Sequence, residues 1–278
     1  MPQNIYDTPG FFTNYSKLLR SREGLKGAPE WPRLQSFLPD LGGARVLDLG
    51  CGFGWYSRWM HDYGAVEVRA VDLSENMLGQ ARLMTDAGQY RGVTFERADL
   101  DGSDAQLQQL LPAADNGTLD VVFSALALHY LENLPRLVAH VHRVLRPGGV
   151  FVFSVEHPIF TAPSAPGVVE IPAPPQSGTH TAAPQTRRVW PLDSYQSEGL
   201  RVTNWLADGV RKQHRTVATY VNMLIDAGFE LTGFNEWYPT GAELEAHPEW
   251  ANEHKNETIK PTFLLVRATK KEPAVDKL

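Results

Sequence analysis

The chain has 278 residues, 26 Lys/Arg against 32 Asp/Glu, and a single cysteine, Cys51. That length accommodates one large α/β domain with elaborations, and one cysteine excludes both an intrachain disulfide and a cysteine-based zinc site. The formal net charge of -6, with no run of Lys/Arg, argues against a standing electrostatic grip on nucleic acid or anionic lipid.

The opening, MPQNIYDTPGFF, lacks a basic stretch followed by an apolar one, and no apolar segment approaches the roughly 20 residues of a membrane span. A cytoplasmic location with no membrane partner is expected. From residue 31 onward strand-like and helix-like segments alternate, the pattern of a parallel sheet covered on both faces. Leu34, Phe37 and Leu38 share one face of a short helix that has Pro32 near its first turn. Strands are expected at Arg45 to Leu49, Val68 to Val71, Val93 to Glu96, Asp120 to Ser124 and Val150 to Val155, each short and apolar as doubly covered strands are. Ser74 caps a helix reaching Met84. Leu134, Leu137, Val138, Val141 and Leu145 keep helical spacing until Pro147-Gly148-Gly149 stops it.

Residues 157–214 break the rhythm with eight prolines and no long helical pattern, and around Asp208-Gly209 they read as a β-hairpin with a type I′ turn. Connections of that length are lids or binding loops, or else disordered. Val217, Tyr220, Val221, Leu224 and Ile225 then form a last covering helix closed by Gly228. Phe229 to Trp237 and Thr262 to Ala268 follow with no helix between them, which fits an antiparallel pair at the sheet edge. The expected organisation is a core at 31–156, an inserted lid at 157–214, the rest of the core at 215–270 and a flexible tail at 271–278.

The stretch VLDLGCGFG places Gly50, Gly52 and Gly54, with Cys51 between the first two, where a strand turns into a helix. Missing Cβ atoms there let a ligand lie against backbone at a helix N-terminus. The dinucleotide fingerprint G-x-G-x-x-G fails, because its third glycine would fall at Trp55. Asp48, two residues ahead of the loop, would repel a pyrophosphate and attract a sulfonium or ammonium, which points to S-adenosylmethionine. Asp72, 20 residues after Gly52, stands where a ribose diol is gripped, with Leu73 and Met77 beside it. Asp99 is placed to accept from an adenine amino group, and Leu100 to cover the ring. Ser124, Ala125 and Leu126 follow the fourth strand, under the methionine part.

With these segments in order, the chain resembles the class I S-adenosylmethionine-dependent methyltransferases. VLDLGCGFG matches their strand-one motif, VDLS the acidic end of strand two, ADL the strand-three motif and LRPGGVFVFS the entry to strand five, over roughly residues 44–155. The resemblance implies an α/β three-layer sandwich with a seven-stranded, mostly parallel sheet of order 3-2-1-4-5-7-6, strand seven antiparallel. It also implies S-adenosyl-L-methionine as cofactor. FFTNYSKLLRS at the start and EHPI after strand five also resemble an uncharacterised bacterial branch acting on small molecules.

The exit of the fourth strand, SALALHY, lacks the Asn/Asp-Pro-Pro-Tyr/Phe signature of enzymes that methylate planar exocyclic amines. No carboxylate lies near that exit to hold Mg²⁺, so no metal is expected. What remains is a small-molecule methyl acceptor, aromatic or heteroaromatic, walled by candidates Phe11, Tyr130, Glu156, Trp190, Tyr195 and Trp205. Residues 1–30 are expected to fold over the cofactor, with Arg20 pairing to the methionine carboxylate and Tyr15 closing the methyl pocket. His129, His157 and His214 are the acid/base candidates, His129 first; helix capping and packing compete for each of them. Two rival readings stay open: an enzyme that uses the same cofactor for another reaction, and a non-catalytic binding module. The sequence is silent on oligomeric state.

Overall fold

The computed structural model describes residues 3–173, 186–250 and 259–272. Seven strands make the central sheet: β1 (Arg45–Leu49), β2 (Glu67–Asp72), β3 (Val93–Arg97), β4 (Leu119–Ala125) and β5 (Leu145–Glu156), then β10 (Phe229–Trp237) and β11 (Phe263–Lys270). Between the two groups lie two separate antiparallel ribbons, β6 (Val169–Pro172) with β7 (Thr186–Val189), and β8 (Gly199–Trp205) with β9 (Ala207–His214). The sheet order is β3-β2-β1-β4-β5-β11-β10. Counting only its own seven strands, this is 3-2-1-4-5-7-6, with β11 antiparallel to both neighbours.

The chain opens with α1 (Pro9–Tyr15) and α2 (Leu19–Arg22). They are followed by α3 (Trp31–Gln35), α4 (Trp55–Asp62), α5 (Glu75–Leu83), α6 (Asp104–Leu110), α7 (Leu134–Val144), α8 (Pro158–Thr161), α9 (Val217–Asp226) and α10 (Gly241–Ala246). Because successive strand residues point to opposite faces, the sheet feeds two cores at once. Leu47, Phe151 and Phe153 pack with Leu137, Val141 and Leu224 from α7 and α9. Val46, Val150 and Val152 pack with Trp31, Leu34 and Met60 from α3 and α4. No helix among the described residues is long and apolar enough to cross a membrane.

Three local expectations change. The extended backbone resumes at Leu145, so β5 takes in Pro147-Gly148-Gly149 and α7 ends one residue earlier. On α9 the buried stripe is Tyr220, Met223 and Leu224, whereas Ile225 is 52 % exposed. The β8–β9 reversal centres on Leu206 (φ 62°), not on Asp208-Gly209. A register shift between Thr203 and Trp205 moves the turn, leaving Gly209 inside β9, where its N–H meets the Asn204 side chain. Of the expected tail, residues 273–278 lie outside the described residues.

Candidate active site

A cavity of about 410 Å³ opens at the carboxyl edge of β1, β2 and β4, where α/β sheets bind ligands. Its cofactor end is built from backbone. The amides of Gly50 and Cys51 both donate to the Val71 carbonyl, at 2.8 and 2.9 Å, tying the glycine loop to β2. Gly50 and Gly52 adopt φ of 75° and 54°, which residues with a Cβ rarely adopt. A Cβ on Gly50 would lie 2.3 Å from that of Ala127, whereas one on Gly52 would meet nothing within 4 Å. The space over Gly52 is open to the cavity.

Asp72 closes β2 with its carboxylate accepting the Gly52 amide through one oxygen and the Ser74 amide through the other, each at 2.9 Å. Burial pushes its carboxyl up, and those amides offset only part of the rise. Leu73, Met77, Asp99 and Leu100 line the same end, together with Cys51, Ala125 and Leu126. Leu126 has φ 54°, a strained conformation for a leucine that costs about 1–2 kcal/mol and is held by its amide donating to the Ser154 carbonyl at 2.9 Å.

Three residues assigned to the cofactor from sequence do not line the cavity. Asp48, 1 % exposed, lies behind the loop, where one oxygen accepts from Ser57 Oγ at 2.6 Å and the other, Oδ1, has no hydrogen-bond partner. Burial, opposed by Ser57 and aided by the Asp72 charge, raises its carboxyl to about 7. Gly54 (φ 72°) starts α4 under the Phe95 ring, which a Cβ would approach to 2.7 Å. Ser124 spends its hydroxyl on the Leu49 carbonyl at 2.7 Å, bracing β4 on β1.

The N-terminal segment covers the site through side chains the sequence does not single out. Asp7 accepts from Ser74 Oγ at 2.5 Å and from the Asn76 amide at 3.1 Å, so it caps α5 next to Asp72. Gln3 bonds the Gly209 carbonyl and the Arg211 amide, both at 2.8 Å, and Asn14 donates to the Leu206 carbonyl at 3.0 Å. The segment thus straps the β8–β9 ribbon to the cofactor loop. Tyr15 and Arg20 both face the cavity. The Arg20 fork, however, is taken up by the fully buried Glu30, at 2.9 and 3.3 Å, so its charge is neutralised within the chain before any carboxylate arrives.

At the other end the walls are Tyr6, Tyr15, Tyr130, Trp205, Phe160 and Phe263, joined by Glu156 and His129. Tyr6 meets Tyr15 and Tyr130 edge-on at 5.2 and 6.0 Å, and the Tyr6 and Tyr130 hydroxyls are 3.1 Å apart. The Glu156 carboxylate pairs with the buried Lys212 ammonium at 2.5 Å, which in turn lies over Trp205. Burial works to raise the Glu156 carboxyl, but Lys212 and His129 outweigh it and hold it below its ordinary range.

The other predicted wall and acid/base residues are placed elsewhere. Phe11 is fully buried behind the tyrosines, against Ile5 and Val210. Trp190 stacks on the outer side of Phe160 and donates to the Ile159 carbonyl at 2.9 Å. The Tyr195 hydroxyl accepts the Val217 amide at 3.1 Å, at the start of α9. Both ring nitrogens of His157 are engaged: Nδ1 accepts the Ile159 amide at 3.0 Å as the cap of α8, and Nε2 meets Glu236 at 2.9 Å. His214 is equally engaged, by Thr161 Oγ1 at 2.8 Å and the Tyr195 carbonyl at 2.9 Å. Neither lines the cavity. His129 does, and among the described residues only its Nδ1 is engaged in a hydrogen bond, accepting the Glu156 amide at 3.4 Å. Burial lowers this imidazole to about 4.

Comparison with known proteins agrees with the cofactor end. A family described as "Methyltransferase domain" matches residues 47–153. The chain is 47% identical to an S-adenosylmethionine dependent methyltransferase of known structure from Mesorhizobium loti, covering 88% of this chain and 100% of that one with a TM-score of 0.72. It is 34% identical over 272 residues to an uncharacterised protein of Haemophilus influenzae, 97% of this chain and 98% of that protein. A malonyl-[acyl-carrier protein] O-methyltransferase of Pectobacterium atrosepticum is 37% identical over 122 residues, 44% of this chain but only 42% of that protein. A bare glycine loop, carboxylates at the ends of two strands and a full-length relative of this kind lead to one statement: the chain belongs to the S-adenosylmethionine-dependent methyltransferases, and S-adenosylmethionine is its cofactor.

Proposed function

We propose that this methyltransferase acts on an O or N atom of a small aromatic or heteroaromatic metabolite held between the N-terminal segment and the β8–β9 ribbon. The observation that carries this reading is the ring of Tyr6, Tyr15, Tyr130 and Trp205 at the end of the cavity away from the glycine loop. Such walls suit a flat, apolar body with few polar groups. The cofactor supplies an electrophilic methyl on sulfonium. The chain's own work is to hold that cofactor through Gly50, Gly52, Asp72 and Asp99, to keep water out with the strap, and to place the nucleophile in line, since positioning and desolvation dominate such displacements.

The test is a screen of cell metabolites coupled to S-adenosylhomocysteine release. An aromatic acceptor whose KM rises on Trp205→Ala supports the reading. Turnover confined to aliphatic acceptors, or to a carrier-protein thioester, overturns it.

A further inference from the structure

Resting on the methyl-transfer reading of this cavity, we infer that His129 is a specificity-determining hydrogen-bond donor rather than the base. Its Nδ1 receives the Glu156 backbone N–H. An amide donor at Nδ1 requires a lone pair there, so the neutral ring carries its proton on Nε2. Nε2 has no hydrogen-bond partner among the described residues, while the residue lines the acceptor end of the cavity. The two other histidines near this edge have both nitrogens engaged, which marks them as braces.

The surroundings hold that state. Facing the ring are the Glu156 carboxylate from β5, the Lys212 ammonium from β9 and the Arg215 guanidinium just beyond it. Lys212 takes one oxygen of the Glu156 carboxylate, leaving Oε2 without a hydrogen-bond partner among the described residues, and Arg215 donates to the Leu131 and Glu132 carbonyls at 2.6 and 3.0 Å. Burial opposes a second proton on the ring first, and the Lys212 and Arg215 charges oppose it too, together outweighing the Glu156 charge that favours it. Across neutral pH the site therefore offers an N–H and no histidine lone pair. The acceptor it selects carries a lone pair of its own toward His129, a carbonyl oxygen or a pyridine-type ring nitrogen.

The experiment uses the full chain saturated with S-adenosylhomocysteine, and ligand-observed NMR with matched pairs: quinoline and naphthalene, acetophenone and ethylbenzene, cyclohexanone and cyclohexane. The lone-pair member of a pair is expected to bind roughly threefold to tenfold better, the worth of one hydrogen bond. His129→Gln keeps that preference, because a carboxamide both accepts the Glu156 amide and donates onward, whereas His129→Leu abolishes it. Wild-type protein that does not separate the members of any pair, by binding both or neither, overturns the inference, as does a preference lost equally in Gln and Leu variants. A preference seen only in the alicyclic pair keeps the inference and rejects the aromatic reading. Independently of any ligand, ¹⁵N spectra of the His129 ring should show Nδ1 unprotonated at neutral pH; an Nδ1–H tautomer or an imidazolium overturns the assignment.

Discussion

The two ends of the cavity are made of different materials. The cofactor end is backbone: loop amides tied to the Val71 carbonyl, glycines at positive φ, and one carboxylate, Asp72, holding the Gly52 amide of the loop and the Ser74 amide at the start of α5. The acceptor end is side chain: the rings of Tyr6, Tyr15, Tyr130 and Trp205 among others, a buried Glu156–Lys212 pair and His129, contributed by the N-terminal segment, β5, β8, β9 and the turn after β4. A backbone site is dictated by where strands end and glycines stand, so it is repeated wherever that fold binds that ligand. A side-chain site depends on which distant residues happen to meet, so it can be respecified without touching the cofactor.

If that division is right, the largest effect on stability should come from the acceptor end. Lys212→Met leaves the Glu156 carboxylate buried without its counter-charge, and breaking a buried pair on one side costs about 3–5 kcal/mol. Denaturant unfolding measures it. The double variant Glu156→Gln/Lys212→Met should recover most of the loss, because a neutral pair leaves no charge to desolvate. A single variant costing under about 1 kcal/mol would show that Glu156 finds another partner.

At the cofactor end the expected loss is in binding rather than folding. Asp72→Ala removes a buried carboxylate and should weaken S-adenosylmethionine by about 1.5–3 kcal/mol, roughly tenfold to 150-fold in Kd, in titration calorimetry. Unchanged affinity in a folded variant would take Asp72 out of the site.

The strap joins the two ends and should give a smaller effect. Asp7→Ala leaves the Ser74 cap of α5 but removes the acceptor of the Ser74 hydroxyl and the Asn76 amide that fastens the N-terminal segment there, at about 0.5–1.5 kcal/mol. S-adenosylhomocysteine should protect wild-type protein from trypsin at Lys17, Arg20 and Arg22 and protect this variant less. Equal cleavage of wild type with and without ligand would mean that the segment does not respond to the cofactor.

The same division explains what the sequence makes legible. All seven strands and the residues Gly50, Gly52, Asp72, Asp99 and Leu100 follow from patterns within a few residues of each other, because strand periodicity and the glycine turn are local, whereas the sheet order is what the resemblance to the methyltransferase family implies. Arg20, His157, His214, Trp190 and Tyr195 have structural partners that the sequence does not reveal, because those partners are not local. Glu30 lies 10 residues from Arg20, Glu236 lies 79 from His157, and Thr161 lies 53 from His214. Nor does any pattern mark Lys212 or Asp7, whose meaning depends on Glu156 and Ser74 being brought beside them. The His129 position is legible from the strand exit, but its role is not, since that turns on a backbone amide 27 residues away.

The smallest net effect on the wild type, because two opposing contributions offset, sets Asp48 against His129 in pH. His129 titrates near 6.5 when unfolded and about 4 when folded, burial being the main cause. Between those values the unfolded chain binds a proton that the native ring refuses, so this contribution lowers stability as pH falls. Asp48 runs the other way. Its carboxyl titrates near 4 unfolded and about 7 folded, again chiefly through burial, so the native state keeps a proton that the unfolded chain gives up, and stability falls as pH rises. Each slope reaches at most about 1.4 kcal/mol per pH unit, and over the shared window from about pH 4 to 6.5 they offset each other in the wild type. Substitution should separate them. Relative to wild type, the melting temperature of Asp48→Asn should climb as pH is raised from about 4 to 7, and that of His129→Gln should climb as pH is lowered from about 6.5 to 4. Difference profiles of the same sign would mean that one of these groups is not buried in the protonation state described. A flat profile for Asp48→Asn alone would take Asp48 out of the pH dependence.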